Sequence, residues 1–198
     1  MNDREWDKRL RIRTTGREDE SDPECSPYEP TPYAVLGRLA DSGHIKRRTR
    51  LMDYGCGKGR VAFFMAREVG CRVTGIDRSP RLIDIARENG RASRLGDRVA
   101  LICCPAEQHA LGDEDAFFFF NPFSERVFAS VLRRIHRAWQ EAPRGMKVIC
   151  YYPSEEYIRC LEEAPDFVQV DEIDCGDLFN GKNPRERIVV FALPSPKE

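Results

Sequence analysis

The stretch Leu51-Met52-Asp53-Tyr54-Gly55-Cys56-Gly57-Lys58-Gly59-Arg60 decides how this chain is read. An apolar run ends in an acid, three glycines alternate at positions 55, 57 and 59, and a helical pattern begins. A second apolar run, Arg72-Val73-Thr74-Gly75-Ile76-Asp77, ends in another acid. This is the pattern of a nucleotide-like ligand lying over the carboxyl ends of parallel strands. Glycines let the backbone come close to such a ligand. Asp77 stands 18 positions after Gly59. That is near the separation of about 20 residues at which an acid accepts hydrogen bonds from a ribose diol. The same Asp77-Arg78-Ser79-Pro80 stretch also reads as a helix start, and the two readings are compatible.

Two ligand classes fit that outline, and the glycine spacing separates them. The dinucleotide fingerprint is G-x-G-x-x-G, whose third glycine packs helix against strand. Here Arg60 occupies the place of that glycine. The pattern D-x-G-x-G-x-G, with Asp53 leading, resembles the first motif of class I S-adenosylmethionine-dependent methyltransferases. The resemblance implies S-adenosylmethionine as cofactor and S-adenosylhomocysteine as product. It places Asp53, Gly55, Cys56, Gly57 and Gly59 against the methionine part, with Asp53 acting through water on the ammonium and Cys56 as a small spacer. Asp77 and the adjacent Arg78 fall in the same cofactor group.

Composition is consistent with such an enzyme. The chain has 198 residues, 41% hydrophobic and 33% charged, enough for one domain of ordinary size. No apolar run is long enough to span a membrane, and the first residues do not read as a signal peptide, so a cytoplasmic location is expected. The net charge of −1 does not favour nucleic acid as a partner, although a local basic patch is compatible with it. Eight cysteines lack any C-x-x-C pair, and the three histidines are scattered. That reads as free thiols in a reducing compartment and gives no metal-ligand spacing.

Residues 1–30 are charged and proline-punctuated, with Arg17-Glu18-Asp19-Glu20-Ser21-Asp22 at their centre. They read as a helix over 3–11 followed by an arm or lid. Thr31-Pro32 reads as an N-cap and first helical residue, opening a helix to Ser42. Beyond it, strands are expected at 49–54, 72–77, 98–104, 116–120 and 147–152, with helices at 59–69, from Ser79-Pro80, at 124–141 and at 154–163. Strand-like segments 167–174 and 186–193 close the chain around Asn180-Gly181-Lys182-Asn183-Pro184. This alternation predicts an α/β fold: a doubly wound, mainly parallel seven-stranded sheet with a C-terminal antiparallel hairpin and helices on both faces. Residues 31–198 form the domain that resembles the methyltransferase fold. The run Ala116-Phe117-Phe118-Phe119-Phe120 suits a central strand covered on both faces.

The remaining candidates lie at strand ends. After the third strand the family places an acid against the adenine amino group. This chain has Cys104-Pro105-Ala106-Glu107-Gln108, so Glu107, or the backbone of Ala106, takes that role. After the fourth strand comes Asn121-Pro122-Phe123. It resembles the Asn-Pro-Pro-Tyr motif of methyltransferases acting on planar nitrogens, and an Asn-Pro-Phe signature of small bacterial methyltransferases. The resemblance implies that Asn121 and a backbone carbonyl accept hydrogen bonds from the target amino group, while Phe123 packs on the acceptor. Asn121 also falls beside the cofactor. The alternative is that Asn121-Pro122 turns the chain and Ser124 caps the next helix.

Tyr28-Glu29-Pro30-Thr31-Pro32-Tyr33 resembles a Pro-Thr-Pro element of some lysine methyltransferases, which puts Thr31 and Tyr28 at the methionine end of the cofactor. Tyr151-Tyr152 are expected to wall the acceptor pocket, and Lys182, Arg185 and Arg187 to meet an anionic substrate. The expected activity is methyl transfer to an acceptor of unknown class, with nitrogen the expected atom: a protein side chain, a base or a small metabolite. The rivals are a protein that binds the cofactor without turnover and an NAD-dependent oxidoreductase.

Overall fold

The computed structural model describes residues 2–18, 23–179, 181 and 183–195. The elements follow in the order α1 (Asp3–Leu10), α2 (Tyr33–Asp41), β1 (Arg50–Tyr54), α3 (Arg60–Glu68), β2 (Arg72–Asp77), α4 (Pro80–Ser93), β3 (Val99–Cys103), β4 (Ala116–Phe119), α5 (Glu125–Glu141), β5 (Met146–Tyr151), α6 (Glu155–Glu163), β6 (Val168–Asp174) and β7 (Arg187–Leu193). The sheet order is β3-β2-β1-β4-β5-β7-β6. The first five strands are parallel, and β7 runs antiparallel between β5 and β6. The doubly wound sheet with its closing hairpin is therefore as expected.

Local chemistry explains the element starts. Asn2 and Glu5 form a reciprocal capping box on α1. The hydroxyls of Ser79, Ser124 and Ser154 cap α4, α5 and α6. One cap differs from expectation. Thr31 does not cap α2: Pro32 holds the cap position, and no side chain bonds there. Thr31 is buried instead, and its carbonyl accepts a hydrogen bond from Arg60 at 3.2 Å.

β4 organises the core. Ala116 and Phe118 pack with α2, α3 and β1 on one face, while Phe117 and Phe119 pack with α5 on the other. A strand wholly buried on both faces needs no polar alternation, which is why this run is all apolar. Parallel strands joined by helices bring the ends of β1, β2, β3 and β4 to one edge. The site lies along that edge. No described helix is long and apolar enough to cross a membrane. Asn180 and Lys182 of the expected final turn, and residues 19–22 of the acidic run, lie outside the described residues.

Candidate active site

A cavity of about 540 Å³ opens over the carboxyl ends of β1, β2, β3 and β4. That size suits a cofactor-sized ligand. Its wall includes Asp53, Gly55, Cys56, Asp77 and Arg78 from the glycine loop and β2, and Pro105, Ala106 and Glu107 after β3. Tyr28, Thr31, Pro122 and Phe123 complete it. The structure thus brings most of the expected site residues into one place. Gly57, Gly59 and Asn121 stand just behind the wall rather than on it.

The loop between β1 and α3 cannot be built from larger residues. Gly55 has φ of 71°, and a Cβ there would come within 2.3 Å of Pro122. Gly57 has φ of 52°, and a Cβ there would meet the Tyr28 ring at 2.3 Å. Both positions combine a left-handed backbone with close approach of a neighbour.

The two acids differ in environment. Asp53 is 2% exposed, and its Oδ2 has no hydrogen-bond partner among the described residues. Burial, reinforced by the charge of Asp77, pushes its carboxyl up to about 8, against the pull of the Ala62 amide. A buried, unsatisfied carboxyl oxygen is costly unless a ligand completes it. Asp77 is half-buried and already anchored. Its Oδ2 accepts from the Gly57 amide at 2.9 Å, and its Oδ1 accepts from the Ser79 amide at 2.9 Å. A carboxylate oxygen can accept more than one hydrogen bond, so an anchored acid can also serve a diol. Cys56 is buried inside the loop, where burial holds its thiol well above the ordinary range. It fits the role of a small, un-ionised spacer.

The segment 23–31 forms a strap across this edge. The Ser26 amide donates to the Pro122 carbonyl at 3.1 Å, and the Ser124 amide donates to the Glu24 carbonyl at 2.9 Å. Glu24 also holds the Ser124 hydroxyl and Arg126. Further along, Tyr28 pairs its backbone with Glu18, donates its hydroxyl to the Thr14 carbonyl at 2.6 Å, and lies under Lys58.

Arg60 is the residue that sequence reasoning missed. It is 2% exposed and lies in the cavity wall. Its Nε donates to the Thr14 hydroxyl at 2.7 Å, its Nη1 reaches Asp3, and its guanidinium stacks over Tyr33. Asp7 joins the same network, accepting from Thr14, Thr15 and Tyr33. Two acids four apart on α1, Asp3 and Asp7, were the only available signal for a buried cation elsewhere.

Asn121 bonds to neighbouring backbone at the end of β4. Its amide nitrogen donates to the Tyr152 carbonyl at 2.6 Å, and its Oδ1 accepts from the Ser154 amide at 3.2 Å. Its φ of 41° is one that Asn tolerates better than most residues. The Pro122 carbonyl is held by the strap. Asn121 Oδ1 and the Pro122 carbonyl thus each accept one hydrogen bond within the protein.

Tyr151 and Tyr152 do not line the cavity; Phe120 does. Tyr151 donates to Glu186, and Tyr152 carries Arg185 on its ring. Arg185 and Arg187 likewise lie off the cavity wall.

The sheet order, the glycine loop and the position of the cavity define a class I methyltransferase fold. Comparison with known proteins agrees: residues 51–142 match the family model described as a methyltransferase domain. A geranyl diphosphate 2-C-methyltransferase of Saccharopolyspora erythraea is 34% identical over 58 residues, 29% of this chain and 20% of that protein. Methyltransferase GfsG of Streptomyces halstedii is 34% identical over 68 residues, 34% of this chain and 24% of that protein. The matches thus span about a quarter or less of those relatives. Among solved structures, an RNA methyltransferase from Salinibacter ruber in complex with S-adenosylhomocysteine superposes with a TM-score of 0.62 at 20% identity, covering 86% of this chain and 97% of that one. The [4+2]-cyclase SpnF superposes with a TM-score of 0.61 at 18% identity, covering 82% and 81%. At such identities the likeness is one of fold.

Proposed function

We propose that this chain binds S-adenosylmethionine in the cavity and transfers its methyl group to an acceptor. The observation that carries this reading is the pair of acids flanking the glycine loop. Asp53 supplies a buried carboxyl oxygen with no partner among the described residues, suited to the cofactor's ammonium. Asp77 supplies anchored acceptors suited to a ribose diol. Glu107 and Ala106 line the cavity and are the residues proposed to meet the adenine edge, and Tyr28 and Thr31 those proposed to bound the methionine end. When bound, the cofactor supplies an electrophilic methyl carbon on a sulfonium. The protein's part is orientation and exclusion of water, the main levers for an in-line displacement.

Pro122 and Phe123 line the cavity beside the glycine loop and are the residues proposed to orient the acceptor. Nitrogen is the acceptor atom proposed, on the resemblance of Asn121-Pro122-Phe123 to planar-nitrogen motifs. The internal bonds of Asn121 support a bracing role for that residue beside the one its motif resemblance implies. The same bonds support the second reading, a protein that binds the cofactor without turnover.

Calorimetric titration with S-adenosylmethionine, S-adenosylhomocysteine and NAD tests this. Saturable binding of the two adenosyl ligands and none of NAD is expected. Binding of NAD alone would return the chain to the oxidoreductase reading.

A further inference from the structure

The edge opposite the cavity, where β1, β2 and β3 begin, has a chemistry of its own. Arg50 and Arg72 are register partners on β1 and β2. Arg98 directly precedes Val99, whose partner is Val73, so it continues the same row onto β3. Neighbouring strands lie about 4.8 Å apart, so three guanidinium stems leave the sheet side by side. A cleft of about 250 Å³ opens among them, with Asp97, Asp113 and the buried Glu114 also in its wall.

A second cleft, of about 300 Å³, is lined by Arg9, Arg11, Arg67 and Arg94, with only Leu10 and Ser93 besides. These arginines come from the C-terminal ends of α1, α3 and α4. The turn at Gly70 links the two clefts. Arg98 donates to the Gly70 carbonyl at 2.5 Å, and the Arg47 side chain lies beside the same glycine. The loop before β1 adds Lys46, Arg47 and Arg48, all exposed.

Few of these cations are neutralised. Arg9 pairs with Glu68 at 3.4 Å and Arg50 with Asp113 at 2.7 Å. Among the described residues, Arg11, Arg47, Arg48, Arg67, Arg72 and Arg94 have no carboxylate within ion-pair distance. Cations at helix C-termini are ordinary, since they offset the helix dipole, and that accounts for Arg11, Arg67 and Arg94 one at a time. It does not account for the row on the strands or for the loop. The three arginines of the first cleft face three acids in its own wall, so the local excess of positive charge lies in the second cleft and in the loop before β1, within a chain whose net charge is −1.

We propose that this edge is a docking surface for the phosphate backbone of a structured nucleic acid. All but one of its cations are arginine, whose planar fork grips phosphate through two parallel hydrogen bonds. The exposed large hydrophobic residues, Val168 and Val170, lie on β6 at the far end of the sheet. Among the described residues the basic edge therefore has no exposed large hydrophobic side chain to act as a membrane wedge, and the ring beside it, Trp6, is half-buried under Arg9. Contacts of this kind position a polymer without reading its sequence. This inference stands apart from the methyl-transfer reading, because the edge lies across the sheet from the cavity.

The test uses the full chain and fluorescein-labelled RNA and DNA duplexes of the same sequence, followed by anisotropy from about 50 to 200 mM salt. Binding should weaken at least about tenfold over that range. The variants Arg47→Glu/Arg72→Glu and Arg67→Glu/Arg94→Glu should each lose about tenfold at low salt and flatten the log–log salt slope by about two. Equal binding of both duplexes supports backbone docking, and a preference for one names the polymer. Salt-insensitive binding, no binding at low salt, variants that bind like the parent, or stronger binding to anionic phospholipid vesicles would each overturn the proposal. Should a variant fail to fold, the parent's salt slope still decides. S-adenosylhomocysteine titrated into the same samples should bind parent and variants alike, so failure of the methyl-transfer reading registers separately.

Discussion

At the scale of single residues, Asp53 is the most informative group in the cavity. Burial raises its carboxyl to about 8, above the unfolded value near 3.8. The folded state therefore holds this proton more tightly than the unfolded state. The sign follows: the group's contribution to stability is complete below the unfolded value and is lost as pH rises toward 8. A cationic ammonium beside it reverses the preference and favours the ionised form. Binding of S-adenosylhomocysteine at pH 7 should thus release up to one proton from Asp53, while methylthioadenosine, which lacks the amino acid, should release none. Calorimetry in buffers of different ionisation enthalpy measures this, and Asp53→Asn should abolish the difference. Equal proton release by the two ligands would separate Asp53 from the ammonium.

The motif residues around it were legible because their constraints are local. Gly55, Gly57 and Asp77 sit in one strand-to-helix turn and the strand beside it, so short spacings carry their geometry. Arg60 was not legible. Its burial depends on Thr14, Asp3 and Thr31, which reach it from other parts of the chain. Sequence spacing does not encode that convergence.

At the scale of elements, the segment after β4 and the strap act together. The expected elements agree with the observed ones to within a residue or two, because hydrophobic runs and serine caps mark them. The role of Asn121 was less legible: an Asn-Pro pair reads equally as a ligand clamp or a turn. The bonds to Tyr152 and Ser154 join the ends of β4 and β5, which supports a bracing role. Asn121→Ala removes two partly buried hydrogen bonds and a residue suited to a positive φ. It should lower stability by about 1–3 kcal/mol, measured by urea denaturation. Cofactor affinity should stay within a fewfold of the parent. An unchanged denaturation midpoint, with loss of methyl transfer alone, would favour direct contact with the acceptor.

At the scale of the whole molecule, the fold was legible because strand-like runs alternate with helical patterns around β4, the one strand that is apolar and buried throughout. Phe118 is 1% exposed and packs on the face shared with α3. Phe118→Ala should cost about 3–5 kcal/mol, read from the denaturation midpoint, since the close-packed centre of the sheet cannot collapse around the missing ring. A loss below about 1 kcal/mol would mean that the two faces of the sheet are not packed as described. Charge is the whole-molecule property that composition hid. A net of −1 conceals a sheet with an acid-flanked cavity on one edge and two arginine clefts on the other. Only topology reveals this, because it brings Arg50, Arg72 and Arg98 together from three separate strand starts.

The central claim is that the glycine loop and its two acids hold an adenosyl amino-acid ligand. Titration of S-adenosylhomocysteine into the parent protein and into Asp77→Ala, both checked for folding, tests it most directly. The account predicts saturable binding to the parent and a loss of roughly 1.5–3 kcal/mol in the variant, as for a hydrogen bond to a charged group. Equal affinity in the two proteins would contradict it.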